Sequence, residues 1–357
     1  MSTQPSPEDH PWPYGPQQAF PRITLGVSPT PLHELTGLMS AFGPSPELLA
    51  KREDLCGIAA GGNKTRKLEA LLGQALSQHA TVVLTTGGVQ SNHCAQTAIA
   101  AAMHGLRAEL YLTGLQPPVP AGNLLIEEVA GAAVTFLGDC TDRDRDDRIA
   151  ARVDELRAMG EVPYLIPLGG STPLGAAAYA AAVSELAGQL GGQPVTHLVV
   201  AAGSLGTMAG LILGTWASGL DCQVHGYTVL WPQAQAKTRL DGLLEAARRQ
   251  YFPAVAGRSN YQILGSQLGA GYGAPTAAGR DAAQLAARHD GLLLDHTYTA
   301  KAMAGLIEGI RDGTYTPQDR IVFFHTGGLA GFFAAGGNAG SQLLTPATAA
   351  PTGPGQV

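Results

Sequence analysis

The sequence is poor in charge. Only 14% of its 357 residues are Asp, Glu, Lys or Arg, against 45% hydrophobic, so much of the chain must be buried. Basic residues number 22 and acidic ones 28, a net charge of −6. Binding nucleic acid takes clustered cations to neutralise phosphates, so no nucleic-acid partner is expected. The four cysteines, Cys56, Cys94, Cys140 and Cys222, lie far apart and form no CxxC pair. Zinc-ligand spacing is therefore absent, no metal site is expected, and a disulfide framework does not suit this length. No run reaches the roughly 18 apolar residues of a membrane span. The opening MSTQPSPEDHPWPYGPQQAFPR lacks a basic flank followed by an apolar core, so no signal peptide is expected. These absences leave a globular cytoplasmic protein of about two domains, with incidental thiols.

What is present is alternation. Residues 1–20, rich in Pro and Gln, read as a loose arm, and 344–357, LTPATAAPTGPGQV, as a disordered tail. Between them, strands are expected at 81–88, 107–114, 133–138, 162–170, 196–206, 222–230 and 320–328. Helices are expected at 90–105, 122–132, 142–160, 175–191 and 207–219. Such alternation means parallel sheets with crossover helices. Three of the strands run into glycine-rich turns, and ligands of open α/β sheets bind beyond the carboxyl ends of the strands.

Four constellations carry chemistry. In AAGSLGTMAGL (201–211), a strand turns through Gly203, Ser204, Leu205, Gly206 and Thr207 into a helix, where amides and the helix dipole suit a phosphate. The turn lacks the Lys-Ser/Thr of a nucleoside-triphosphate loop, and a tight connection alone would also explain it. In TTGGVQSNHC (85–94), Gln90, Ser91, Asn92 and His93 surround a helix start that can grasp a carboxylate or simply be capped. In GGNKTRKLE (61–69), Asn63 and Lys64 stand between two glycines and a helical run. A nucleophilic lysine must be neutral, which burial or a cationic neighbour such as Arg66 or Lys67 would favour. A solvated basic helix entrance is the plainer alternative. Late in the chain come Tyr272 between two glycines, Tyr298 and Thr299 ahead of a helix, and Thr326 at a strand end.

Taken in order, GGNKTRKLE, GGVQSNH, IPLGGSTPLGAAAY, AAGSLGTMAGL, GYGAPT, YTAKAMAGLIEGI and FHTGGLAGFF resemble the D-cysteine desulfhydrase and 1-aminocyclopropane-1-carboxylate deaminase family of pyridoxal-phosphate (PLP) enzymes, over about residues 20–335. The resemblance implies the tryptophan synthase β-like PLP fold, α/β with two open twisted parallel-sheet domains and helices on both faces. It implies a small domain at 67–172, a large PLP-binding domain from 21–66 plus 173–343, and a homodimer. Lys64 would hold PLP as a Schiff base and afterwards act as the base at the substrate Cα. Gly203 to Thr207 would cradle the phosphate, and Asn92 would bond the ring O3′. Asn63, Thr299 and Thr326 would complete the cofactor site. Gln90, Ser91, Asn92 and His93 would hold the substrate carboxylate, with Tyr272 and Tyr298 flanking the substrate as catalytic hydrogen-bond donors and Ser91 assisting.

The branch follows from two positions. Deaminases of the cyclopropane substrate carry Tyr-Glu where this chain has Tyr298-Thr299, and His-Leu-Gly-Gly where it has His325-Thr326-Gly327-Gly328. Both positions take the desulfhydrase form, which implies α,β-elimination from a β-substituted amino acid such as D-cysteine. Asp295-His296-Thr297-Tyr298 departs from the usual Asp-Pro-Val-Tyr, which leaves another β-substituent, such as that of cysteate, or β-replacement open. A dinucleotide-dependent oxidoreductase would need GxGxxG, where the chain offers GSLGTMAG. A ligand-binding protein without catalysis remains compatible with the fold.

Overall fold

A computed structural model describes residues 19–334. The arm expected at 1–20 falls almost wholly outside them, and the tail at 344–357 does so entirely. In chain order the elements are β1 (Leu32–Glu34), α1 (Thr36–Phe42), β2 (Glu47–Lys51), α2 (Lys64–Ser77), β3 (Val82–Gly88), α3 (Asn92–Met103), β4 (Arg107–Thr113), α4 (Asn123–Val129), β5 (Ala133–Gly138), α5 (Asp142–Ala158) and β6 (Pro163–Ile166). They continue with α6 (Pro173–Tyr179), α7 (Ala181–Leu190), β7 (His197–Ala202), α8 (Gly206–Ser218), β8 (Gln223–Thr228), α9 (Gln233–Tyr251), β9 (Tyr261–Leu264), α10 (Ala277–Asp290), α11 (Thr299–Arg311), β10 (Arg320–Phe324) and α12 (Leu329–Ala334).

Two sheets form. One has four strands in the order β5-β4-β3-β6, the other six in the order β1-β2-β10-β7-β8-β9. All pairings are parallel except β1 on β2. The β-branched run of β3 and the Val-Val of β7 suit strands buried on both faces. No helix among the described residues is long and apolar enough to cross a membrane.

The helices differ in what they bury. α5 buries Arg145, Ile149, Val153 and Leu156, a single stripe, and starts on a capping box in which Thr141 and Asp144 satisfy each other's backbone amides. α8 is buried on every face from Gly206 to Thr215. It lies against α6 so closely that a Cβ on Gly210 would come 2.7 Å from the Ala176 carbonyl oxygen. Each fully buried Leu or Ile there contributes about 1.5–3 kcal/mol, so the N-terminus of α8 rests on a rigid base. The single helix expected at 175–191 is two, α6 and α7. They meet at Ala180, whose carbonyl accepts a tight i→i+3 bond from Val183 N. The alanine-rich sequence carries no sign of that break.

Candidate active site

Lys64 is the first residue of α2, behind the turn Gly61-Gly62-Asn63. The turn needs its glycines. Gly62 has φ +127°, and a Cβ on Gly61 would meet the Asp54 carbonyl oxygen at 1.9 Å. Asn63 ties α2 to two distant segments, donating its backbone N–H to Thr326 O (3.2 Å) and its side-chain Nδ2 to Thr207 Oγ1 (2.6 Å). Lys64 is half-buried, and burial pulls its pKa down to about 8, with the Lys67 side chain and Cys94 acting the other way. Lys67 is buried and donates to Gly169 O (2.6 Å). Burial, and then Lys64, hold its amine well below the ordinary lysine value. The basic triplet is thus not a solvated helix entrance.

Arg66 does not serve as the expected cationic neighbour. Its guanidinium is bound by Glu53 at 2.8 Å and by Glu185 at 3.0 Å, within a buried network that also holds Thr30 and Lys51. Two carboxylates neutralise its field.

The turn 203–207 lies at the C-terminal end of β7 and opens α8. Leu205, at φ +72°, provides no side-chain cap. Gly206 N donates instead to Ser171 Oγ (3.1 Å), which in turn donates to Ser204 Oγ (2.8 Å). Ser171 was not among the expected site residues. It lies inside IPLGGSTPLGAAAY, directly after the glycine pair at 169–170, and that position is the signal that pointed to it. Cβ atoms on Gly169 and Gly203 would crowd the turn, at 2.0 Å from Ser204 Oγ and 3.1 Å from Tyr298 Cε1.

The 85–94 segment is spread over several environments. Ser91 is the N-cap of α3 and accepts from Cys94 N (3.3 Å). Asn92 lines the pocket, and its Oδ1 accepts from Asn123 Nδ2 (2.8 Å). Gln90 faces away, donating to Ala121 O and accepting from Asn123 N, each at 2.9 Å. His93 is buried beneath the lysines. Its Nε2 pairs with Thr85 Oγ1 (2.9 Å), Nδ1 has no partner, and burial with the charges of Lys64 and Lys67 keeps the ring neutral. Gln90 and His93 therefore stand outside the pocket wall that holds Asn92.

Tyr298 lines the pocket, and Tyr272 stands at its edge with 38% of its surface exposed. Their hydroxyls are 2.6 Å apart and their rings cross at 72°. Burial of the hydroxyl end raises Tyr272 to about 12 and Tyr298 well above the ordinary value, so both phenols keep their protons. Thr299 departs from expectation. It is fully buried, and its hydroxyl donates to Asp295 Oδ1 (2.8 Å) while accepting from Asp295 N (2.9 Å), so it is turned toward that carboxylate. Asp295 and Thr326, unlike Thr299, line the pocket. Asp295 also accepts the amides of Thr297, Tyr298 and Thr299 at 2.9–3.0 Å, which closes the start of α11 and sets Tyr298. An acid three residues before the tyrosine, ahead of a helix, was the available signal.

Together Asn63, Lys64, Asn92, Gly203, Ser204, Leu205, Thr207, Asp295, Tyr298 and Thr326 line one cavity, partly open to solvent. The residues fit a phosphorylated aldehyde. A helix start with no side-chain cap of its own suits an anion, glycines leave the space a Cβ would fill, and an amine of lowered pKa stands beside them.

Two largely parallel sheets with such a cavity suit a PLP enzyme, and the chain belongs to the family described as "Pyridoxal-phosphate dependent enzyme", whose model matches residues 23–327. Its fold is the tryptophan synthase β-like PLP fold. A D-cysteine desulfhydrase from Salmonella choleraesuis (strain SC-B67) is 38% identical over 329 residues, spanning 88% of this chain and 96% of its own. A D-cysteine desulfhydrase from Salmonella paratyphi C (strain RKS4594) matches to the same extent. Among solved structures, one described as an ACC deaminase homologue superposes with TM-score 0.81 at 35% identity, covering 91% of this chain and 96% of that one. Threonine deaminase isoform 2 from Solanum lycopersicum shares the fold alone, with TM-score 0.61 and 14% identity over 85% of this chain and 80% of its own.

Proposed function

We propose that the protein is a lyase that eliminates a β-substituent from an amino acid, as a D-cysteine desulfhydrase does. With cysteine and water as reactants, the products would be pyruvate, hydrogen sulfide and ammonia. The observation that carries this reading is the protonated Tyr272–Tyr298 pair at a cavity shared with a lysine of lowered pKa. The identity with D-cysteine desulfhydrases over most of the chain supports it.

Lys64 would hold the cofactor, and the amides of Ser204 to Thr207, with the Ser171–Ser204 hydroxyls, would bind its phosphate at the open start of α8. Asn92 and Thr326, both on the cavity wall, would hydrogen-bond the cofactor ring. Bound PLP supplies an electron sink for the substrate Cα. The Lys64 amine, neutral above about pH 8, takes the α-proton. The phenol pair donates a proton to the departing sulfur, and one good donor at such a site is worth about 10²-fold. Ser91 with the α3 start holds the substrate carboxylate. Gln90 and His93 shape that start from behind, and Thr299 acts through Asp295 on the setting of Tyr298.

The domain limits we assign are 67–172 for the small domain and 21–66 plus 173–343 for the large one, of which 335–343 lie outside the described residues. We assign a homodimer located in the cytoplasm. A second reading, opening of 1-aminocyclopropane-1-carboxylate, is favoured by the ACC deaminase homologue structure.

The test is a panel of D- and L-β-substituted alanines and the cyclopropane substrate, scored for pyruvate, 2-oxobutyrate and the released group. Pyruvate and sulfide from D-cysteine are expected, with about a 10²-fold loss in Tyr298→Phe. Release of 2-oxobutyrate from the cyclopropane substrate, with nothing from D-cysteine, would overturn the reading.

A further inference from the structure

Tyr272 is exposed, and it sits in a loop that does little to hold itself. Gly269, Gly271 and Gly273 all have positive φ, at +63°, +127° and +74°. The bonds made by the loop's own turns are long: Leu268 N to Gly265 O at 3.3 Å, Gly271 N to Leu268 O at 3.4 Å, and Ala274 N to Gly271 O at 3.4 Å. All three exceed the usual 2.7–3.2 Å range of an N–H···O bond. Glycines with weak turn bonds make a floppy segment, yet the Tyr272 hydroxyl must stay within 2.6 Å of Tyr298.

Lys301 supplies what the loop lacks. It is fully buried in the first turn of α11. Its Nζ donates to Leu268 O (2.9 Å) and to Gly271 O (3.0 Å), the carbonyl just before Tyr272. These are charge-assisted bonds to the loop main chain, shorter than any the loop turns make. No carboxylate forms an ion pair with Lys301 among the described residues. Burying a lysine this way costs stability unless the bonds it makes matter. Tyr298 immediately precedes the same helix. One helix start therefore carries one phenol directly and holds the loop of the other.

We propose that Lys301 is a positioning residue for the elimination, fixing the 268–271 main chain so that Tyr272 meets Tyr298. The inference rests on the reading of the phenol pair given above. It assigns Lys301 no contact with substrate or cofactor.

The test is a double-mutant cycle on the holoenzyme, using whichever β-substituted alanine the wild type turns over. Lys301→Met should lower kcat by about tenfold or more, because misplacing a reacting group by about 1 Å costs up to 10²-fold. The visible cofactor band should stay unchanged. In a Tyr272→Phe background the same substitution should cost less than about twofold, since effects of coupled residues do not add. Lys301→Gln, which keeps N–H donors on a shorter arm, should recover part of the loss. It takes the place of Lys301→Met in the cycle if that variant yields no folded holoenzyme. Losses that multiply in the double mutant, or a Lys301→Met enzyme with wild-type kcat, would overturn the positioning role while leaving the phenols in place. A Tyr272→Phe enzyme with full activity would instead overturn the phenol reading, and this inference with it.

Discussion

Two of the helix starts at the pocket, those of α3 and α8, are closed in opposite ways. α3 caps itself: Ser91 Oγ accepts Cys94 N within the same turn. α8 does not. Leu205 is left-handed and apolar, and the Gly206 amide is met by Ser171 from a separate segment. The first four amides of any helix lack intrahelical partners. Where a local side chain takes one, the end is partly satisfied. Where none does, amides and dipole remain for an anion. α2 resembles α8, since Asn63 makes no side-chain cap and turns its amide to Thr207. The lesson is that open helix starts here carry chemistry, and the self-capped one carries stability as well as binding.

The largest effect that could break this comparison lies at α2. Lys64→Ala should remove the Schiff-base absorbance and lower turnover by about 10³-fold or more. Substantial residual elimination, measured as pyruvate, would contradict it. Next comes pH. An amine of pKa about 8 is neutral above that value, whereas an ordinary lysine becomes so only near 10.4. Loading of apoenzyme with PLP, followed by absorbance, should therefore accelerate on the order of 10²-fold from roughly pH 6 to 9 and then level off. Continued acceleration beyond pH 9 would mean that Lys64 is not depressed.

A smaller effect belongs to α8. Ser171→Ala removes the hydroxyl between Gly206 N and Ser204 Oγ, so PLP dissociation should rise about tenfold, or 1.4 kcal/mol, with kcat of the loaded enzyme nearly kept. Equilibrium dialysis of the cofactor measures this. The smallest effect is at α3. Ser91→Ala should cost about 1 kcal/mol in urea unfolding and Ser91→Gly only a few tenths, the usual cap series. A collapse of kcat without a stability change would make the Ser91 hydroxyl a reacting group rather than a cap.

Much of the fold was legible. The strand-glycine-helix units around β3 and β7 follow from β-branched runs ending in glycine. β1, β2 and β9 were missed, being only three to five residues long. The motif order brought Lys64, Asn92, the 203–207 turn, Tyr298 and Thr326 to one cavity. Side-chain direction was not legible. Arg66 pairs with Glu53 from a 3-10 turn after β2 and with Glu185 on α7, both far away in sequence. Thr299 faces Asp295 instead of the cavity, because a hydroxyl at a helix start bonds the acid that closes it. Lys301 acts through backbone carbonyls of another segment, which no local pattern reveals, whereas Ser171 stands directly after a glycine pair in its motif.

The central claim is that Lys64, and not its buried neighbour Lys67, carries the cofactor. Borohydride reduction of the holoenzyme, followed by proteolysis and peptide mass mapping, tests it directly. Lys64 stands at the cavity, while Lys67 is spent on the Gly169 carbonyl. The pyridoxyl group should therefore be found on Lys64 alone. Finding it on Lys67, or on a lysine outside GGNKTRKLE, would contradict the account.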